Sequence, residues 1–155
     1  MNKLKKKVLV PWMAGAVLTS IVLTGLAAAA QLILEGFSMA NTGAFLVLTT
    51  AILLIYTVFR YRNWGFEMRD DYLYLERGVL KKVNTKVPYV RVQHIDTQRG
   101  PIYRIFGLSK LVVYTAGSRG ADVGIPGLLP EDADDIQEEL RKVAVESEEE
   151  FGDAV

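Results

Sequence analysis

Two long stretches without a charged residue occupy the N-terminal part of this chain, and they constrain its fold more than any other feature. The first runs from Val8 to Leu34 and the second from Gly36 to Phe59. A helix of about 20 residues is enough to cross a hydrocarbon core about 30 Å thick. A water-soluble helix that was apolar on every side over this length would have nothing to pack against. The sequence therefore predicts a transmembrane hairpin over residues 1–62, with helices over about residues 9–34 and 40–60.

Basic residues lie at the outer ends of both stretches. Lys3 to Lys7 contains four lysines before the first stretch, and Arg60 and Arg62 follow the second. The short connection from Glu35 to Thr42 contains no Lys or Arg. Because cytoplasmic loops carry the excess of Lys and Arg, the sequence predicts a multi-pass protein of the cell (plasma) membrane with both termini in the cytoplasm.

A cleaved secretory signal peptide is the competing interpretation of the first stretch. Lys3 to Lys7 would be its charged region, and Ala28 to Ala30 an acceptable cleavage site. Against this, the apolar stretch exceeds the usual length of about 7 to 15 residues and continues through Leu32-Ile33-Leu34. We therefore favour a helix that is retained.

Charge and cysteine content exclude several classes of function. The net charge of zero arises because a basic N-terminal block and a mildly basic middle are balanced by an acidic block from residue 131 onward. This distribution argues against binding to nucleic acid, which needs a concentrated basic surface. With no cysteine in the chain, disulfides, thiolate metal sites and cysteine nucleophiles are excluded.

Short alternating segments from residue 63 onward predict a small antiparallel β domain over residues 63–145. The spacing of strands and turn residues favours a sandwich or barrel. The predicted strands are Gly65–Arg69, Tyr72–Arg77, Lys82–Val87, Val90–Asp96, Ser109–Thr115 and Ala121–Ile125. A bulge is expected near Ile95, which is out of phase with the alternation, and one helical turn is expected over Ile102–Phe106.

The C-terminal part predicts an amphipathic helix that begins at Pro130. Ala133, Ile136 and Leu140 form an apolar stripe, which we expect to cover the open end of the barrel. From Glu146 to Val155 the acidic composition predicts a disordered, solubilising tail.

Three segments of the β domain resemble the signature of a known family. They are Arg91-Val92-Gln93-His94-Ile95-Asp96, Gly100-Pro101-Ile102-Tyr103-Arg104-Ile105-Phe106-Gly107-Leu108 and Tyr114-Thr115-Ala116-Gly117. Together with the hairpin, they resemble the YdbS-like family of membrane-flanked proteins with a bacterial pleckstrin-homology-type domain. The resemblance implies an α+β fold: a two-helix transmembrane hairpin followed by a pleckstrin-homology-like antiparallel β-barrel capped by a C-terminal α-helix.

The resemblance also implies partners, but no catalysis and no cofactor. Members are often encoded beside a longer relative with several copies of the domain, so we expect a complex with another membrane-flanked-domain protein or a homo-oligomer. Membrane lipids are the other expected partner. Some relatives are associated with resistance to membrane-active antimicrobial peptides. An adaptor role in envelope stress is therefore an expectation from the resemblance.

Basic and polar residues of the domain are the candidate contacts for a partner or a lipid headgroup. In eukaryotic pleckstrin-homology domains, basic residues at the first hairpin turn bind inositol phosphates. Here we take Arg69-Asp70-Asp71 as that turn, and its two carboxylates disfavour phosphate. The candidate contacts are Lys81, Lys82, Lys86, Arg91, Gln93, Arg99 and Arg104, although solvated side chains or partners of backbone carbonyls are the alternative for each.

Two other features carry weaker hypotheses. His94 and Asp96 share one face of a predicted strand, as a general base and its orienting carboxylate would, but His94 is the only histidine and no nucleophile is evident. Gly117 to Gly120 is interpreted as a hairpin tip, because it lacks the length and the lysine of a phosphate-binding loop.

Three functions are compatible with these observations. The first is a membrane-anchored, non-enzymatic scaffold or adaptor whose domain binds another protein. The second is a small homo-oligomeric channel or a transporter accessory subunit, although no ionisable side chain lies in the middle of either helix. Its pore would need the polar residues Thr19, Ser20, Thr24, Gln31, Thr49, Thr50 and Thr57. The third, a hydrolase, is disfavoured by the single histidine.

Overall fold

A computed structural model describes residues 2–34, 36, 38–116 and 123–153 of the chain. The chain divides into two compact units. One is Leu9–Arg62, and the other consists of the first eight residues together with everything from Asn63 onward. The predicted fold class is confirmed: two apolar helices precede antiparallel sheets and a C-terminal helix.

The hairpin unit consists of α1 (Leu9–Leu34) and α2 (Met39–Arg62). Both helices are long and apolar enough to cross a bilayer, with mean hydropathy values of 2.0 and 2.1. Large apolar side chains remain exposed along them, for example Leu18 (64%) and Val47 (71%). Such a surface is stable in hydrocarbon but not in water, as expected for a membrane protein.

Polar contacts join the two helices along the hairpin. Thr50 Oγ1 donates to Ser20 Oγ at 2.9 Å. Near the connection, Thr42 Oγ1 donates to Gln31 Oε1 at 3.2 Å. At the other end, the guanidinium of Arg60 lies 4.3 Å from the ring centroid of Trp12. The antiparallel pairing therefore extends over the whole length of the hairpin.

The second unit contains two antiparallel sheets. The four-stranded sheet has the order β1-β2-β3-β4, and the three-stranded sheet has the order β5-β6-β7. The strands are β1 (Asn2–Lys3), β2 (Gly65–Met68), β3 (Tyr72–Arg77), β4 (Val83–Pro88), β5 (Val92–Gln98), β6 (Ser109–Thr115) and β7 (Val123–Leu128). A short helix, α3 (Pro101–Ile105), joins β5 to β6, and α4 (Pro130–Asp153) follows β7.

The core of this unit is built from alternating strand residues. Leu73 and Leu75 on β3 are buried, and so are Leu111 and Val113 on β6. Because side chains alternate between the two faces of a strand, each pair lies on one face. The neighbours Tyr72 and Tyr74 on β3 are only partly buried, whereas Val112 on β6 is buried as well, so β6 is covered on both faces at this point. The core position of Tyr89 is fixed by its hydroxyl, which donates to the carbonyl oxygen of Arg69 at 2.7 Å.

The first strand of the sheet unit precedes the membrane hairpin. Asn2 pairs with Phe66 and Lys3 pairs with Gly65. Leu4 and Val8 are 3% and 0% exposed. The prediction that residues 1–62 belong to the hairpin alone is therefore corrected, because residues 2–8 belong to the sheet unit. The sequence did not indicate this strand because two residues are too few to show an alternation. The lysines around them also match the pattern of residues that flank a membrane helix.

The β5 segment also differs from its prediction. Instead of starting at Val90, β5 starts at Val92, after a 3₁₀ turn over Tyr89–Arg91. The turn follows Pro88, which has no backbone N–H to donate to a sheet ladder, and Tyr89 is buried within the turn. The expected bulge is present between Val92 and His94, where the pairing with β6 shifts in register.

Helix α4 is longer than the sequence predicts. Ala133 and Leu140 of the apolar stripe are fully buried, as expected. However, the helix continues to Asp153, so residues 146–153 are helical and not disordered. Glutamate has a good helix propensity, and Ser147 Oγ donates to the carbonyl oxygen of Val143 at 2.7 Å within this stretch. The low hydrophobicity that indicated disorder does not prevent a helix from continuing.

Candidate functional site

The predicted contact residues lie in three parts of the sheet unit, and all are exposed. Lys81, Lys82 and Lys86 lie in the β3–β4 hairpin. Arg91 ends the 3₁₀ turn and Gln93 is on β5. Arg99 and Arg104 lie in the segment that joins β5 to β6. These residues therefore lie on separate candidate surfaces of the sheet unit.

The β3–β4 turn presents an apolar side chain between basic residues. Leu80 is 98% exposed. Gly78 has a φ of +119°, and a Cβ at this position would lie 1.9 Å from the carbonyl oxygen of Lys81. The backbone of the turn therefore requires glycine. Lys82 Nζ lies 3.4 Å from Glu76 Oε1, and Lys81 is exposed beside it.

The outer face of the four-stranded sheet carries paired charges and tyrosines, which the sequence analysis missed. Arg69 donates to Glu67 Oε2 and to the hydroxyl of Tyr72, both at 3.0 Å, and lies 5.1 Å from the ring centroid of Tyr74. Lys86 Nζ lies 5.3 Å from the ring centroid of Tyr72. The bond from Arg69 lowers the pKa of Glu67, and Glu67 in turn raises the pKa of Arg69. The alternation of side chains along a strand puts Tyr72 and Tyr74 on one face, and Glu67 pairs with Tyr74. This alternation was the sequence signal that could have indicated the cluster.

The expectation that Arg69-Asp70-Asp71 forms the first hairpin turn is confirmed. These residues join β2 to β3, which pair antiparallel, and the backbone N–H of Arg69 donates to the carbonyl oxygen of Tyr72 at 3.1 Å. β1 also pairs with β2, but the two membrane helices lie between them in the chain. The carboxylates of Asp70 and Asp71 disfavour a phosphate at this turn.

A groove of about 370 Å³ lies between β5 and α4. Among its lining residues are Gln93 and His94 from the strand and Arg141 and Val145 from the helix. Next to it, Gln137 Nε2 donates to the carbonyl oxygen of Ile95 at 2.9 Å. Gln137 Oε1 also accepts a bond from Thr97 Oγ1 at 2.9 Å. Gln137 lies four residues after Ala133 and three before Leu140, so it shares their buried helix face. A polar residue on that face was the sequence signal that α4 bonds to β5, and it was missed.

His94 is engaged by an aromatic ring. Its ring stacks on that of Tyr114, with 4.1 Å between centroids and an interplanar angle of 18°. The hydroxyl of Tyr114 accepts a bond from Gln98 Nε2 at 3.3 Å. In the part of the chain that the structure describes, no group of three or more His, Cys, Asp or Glu residues is placed to hold a metal ion. The geometry at His94 is therefore that of a cross-strand aromatic pair. Gly117 to Gly120 lies outside the described residues.

The polar residues of the hairpin are directed mainly within the hairpin itself. Ser20, Thr24 and Thr57 are buried. Two other threonines bond to their own helices: Thr19 Oγ1 donates to the carbonyl oxygen of Gly15, and Thr49 Oγ1 donates to that of Phe45. Together with the Thr50–Ser20 and Gln31–Thr42 bonds, this arrangement leaves little polar surface to line a pore between hairpins.

Comparison with known proteins agrees with this architecture. The family model described as "Bacterial PH domain" matches residues 9–144. The UPF0699 transmembrane protein YdbS of Bacillus subtilis (strain 168) is 29% identical over 85 residues, which are 55% of this chain and 52% of that protein. The chain thus matches about half the length of this curated relative.

One solved structure is also similar to part of the chain. It is a DUF1696 family protein with a pleckstrin-homology domain from Shewanella loihica PV-4. The match has a TM-score of 0.43 and 17% identity, and it covers 55% of this chain and 74% of the other. Because the family model covers most of the sequence, including the hairpin, we conclude that this membrane protein belongs to the bacterial PH domain family.

Proposed function

We propose that this protein is a membrane-anchored, non-enzymatic adaptor whose PH domain binds another protein at the cytoplasmic face of the cell membrane. The observation that carries the proposal is the position of the hairpin within the domain. The chain leaves the sheet unit after Val8 and returns to it at Asn63. A domain that is interrupted in this way is held to the membrane through two connections.

The same connectivity supports the proposed topology. The pairing of Asn2 and Lys3 with β2 supports a topology in which both ends of the hairpin emerge on one side of the membrane. Lys5 also forms an ion pair with Asp132 at 3.1 Å, which joins the N-terminal segment to the start of α4. The lysines before α1 and the arginines at the end of α2 favour the cytoplasmic side.

The groove between β5 and α4 is the proposed binding surface for the partner. Its apolar part includes Val145, which is 48% exposed, and its polar part includes Gln93 and Arg141. A mixture of apolar and hydrogen-bonding groups is typical of protein interfaces. The chemistry fits a protein segment better than a phosphate, because Glu148 also lines the groove. We propose a second membrane-flanked domain, on another chain or on a second copy, as the partner.

Purification of the full-length protein from native membranes tests this proposal. The affinity tag belongs at the C-terminus, because Asn2 and Lys3 are part of the sheet. We expect a partner to co-purify in mild detergent and to be lost with Val145→Asp. The matched control is Lys142→Ala, an exposed change on the same helix outside the β5 groove. Recovery of the bare monomer alone, after crosslinking in the native membrane, would contradict the adaptor role.

The physiological setting is part of the same proposal. We propose a role in the response to envelope stress, including resistance to membrane-active antimicrobial peptides, from the family resemblance. A strain without the gene is expected to be more sensitive to such peptides, and the Val145→Asp variant is expected not to restore resistance. Equal survival of the deleted and complemented strains would refute this setting.

The structure gives no support to the alternative of a channel. The hydroxyls proposed to line a pore are buried in the hairpin or bonded within it, as described above. Reconstituted protein is therefore expected to give no ion flux above that of empty vesicles. Measured flux that is lost on Thr19→Val and Thr49→Val, the two threonines whose hydroxyls bond only within their own helices, would restore the channel hypothesis.

A further inference from the structure

Leu80 is the most distinctive exposed apolar residue of the sheet unit. Its 98% exposure contrasts with the buried leucines of the adjacent strand, Leu73 and Leu75. The tight backbone at Gly78 fixes the turn, so Leu80 is held outward by the conformation of the turn. An apolar side chain that a rigid turn presents in this way has no packing role inside the domain.

The charges around Leu80 all have one sign within the turn. The sequence from Gly78 to Lys82 contains two lysines and no acid, and Arg77 precedes it. Glu76, which lies 3.4 Å from Lys82, offsets one of these charges. An exposed apolar residue next to exposed basic residues matches the chemistry of an anionic lipid surface, which is apolar beneath and negative above.

The strand register places this turn at a defined end of the four-stranded sheet. Gly65, the first residue of β2, pairs with Glu76, and Arg77 pairs with Val83. The turn therefore extends past the start of β2. Gly65 follows Arg62, the last residue of α2, by only three residues, which span at most about 10 Å. Lys3, which also pairs with Gly65, is at the same end of the sheet.

We propose that the β3–β4 turn is a second membrane contact, in which Leu80 enters the headgroup region of an anionic bilayer. Lys81 and Lys82, which directly follow the inserted leucine, bind lipid phosphates. A bilayer is favoured over a protein partner because chain connectivity keeps the base of the turn close to the end of a membrane helix. The contact depends on the protein being in a membrane and not on the adaptor function, so each proposal can fail while the other holds.

The chain has no cysteine, which allows single-cysteine labelling in the full-length protein. Leu80→Cys and the control Val145→Cys each receive an environment-sensitive fluorophore. The labelled proteins are reconstituted in vesicles of phosphatidylcholine with or without phosphatidylglycerol. Quenching by a spin-labelled lipid then reports the distance of the fluorophore from the bilayer.

We expect the label at position 80 to be quenched several times more strongly than the label at position 145, and only when phosphatidylglycerol is present. The added changes Lys81→Glu and Lys82→Glu should remove this difference. Equal quenching at the two positions would overturn the proposal, and so would equal quenching in both lipid mixtures. Formation of a disulfide between two unlabelled copies of Leu80→Cys in the vesicles would identify a second protein copy as the occupant and would also overturn it.

Discussion

Gly127 has a φ of +69°, and the space that a side chain would need there is occupied by Val8. A Cβ at Gly127 would lie 2.4 Å from two carbon atoms of Val8. The position therefore combines a backbone conformation that L-residues avoid with a contact to the N-terminal segment. This pair of residues shows most directly that residues before the hairpin are part of the sheet unit.

Gly127→Ala is expected to lower the free energy of unfolding of the sheet unit by about 2 to 4 kcal/mol, because overpacking and an unfavourable φ add together. Urea unfolding of the full-length protein in detergent measures the change. Gly100→Ala is the matched control, since its φ is −66° and no described atom lies within 4 Å of the added methyl group. Equal stability of the two variants would show that Val8 does not occupy this position.

The Glu67–Arg69 pair predicts a pH dependence at the residue scale. Because Arg69 lowers the pKa of Glu67 in the folded state, the pair stabilises the fold above the ordinary pKa of 4.5. That contribution is lost as the pH falls through the lowered folded value. NMR titration of the Glu67 carboxyl should give a pKa below 4.5, and Arg69→Gln should raise it. A pKa that does not change in this variant would refute the assignment.

At the scale of the element, sequence patterns predict the strands with a strong period and miss those without one. β3 and β6 have the bounds that alternation indicates, Tyr72–Arg77 and Ser109–Thr115. β1 has two residues and no measurable period, so only its tertiary contacts identify it. Among the site residues, exposed basic groups can be found from sequence. The orientation of Leu80 and the bonds of Gln137 depend on the folded backbone and could not be predicted.

The contribution of the N-terminal segment can be measured at Leu4. Since Leu4 is 3% exposed, Leu4→Ala is expected to cost about 2 to 4 kcal/mol in the urea unfolding of the full-length protein. Lys6→Ala, an exposed change two residues later, should cost less than about 0.5 kcal/mol. If both changes had the same small effect, β1 and the residues after it would not be part of the stable domain.

At the scale of the whole molecule, the hairpin was predictable because its signal is carried by composition. The interruption of the domain by the hairpin was not predictable, because neither residues 2–3 nor residues 65–66 have a sequence pattern that indicates their pairing. The N-terminal lysines have two roles that one pattern cannot separate. Lys5 forms an ion pair within the domain, and in the proposed topology the positive charge of the whole cluster would orient α1.

The proposed topology is tested by labelling intact cells. Asn41→Cys lies near the connection between the helices and should react with a membrane-impermeant maleimide. Lys6→Cys and Arg141→Cys should react only after the cells are opened, because both belong to the sheet unit. Labelling of all three positions in intact cells, or of the last two alone, would contradict cytoplasmic termini.

The place of β1 has a consequence for how this protein is made. The ribosome releases Asn2 and Lys3 before either membrane helix, and their partners Gly65 and Phe66 only after both. If the first helix inserts in the reverse direction, Val8 lies on the opposite side of the membrane from Gly127. Such a chain cannot complete its sheet. Correct insertion is therefore a precondition for a finished domain.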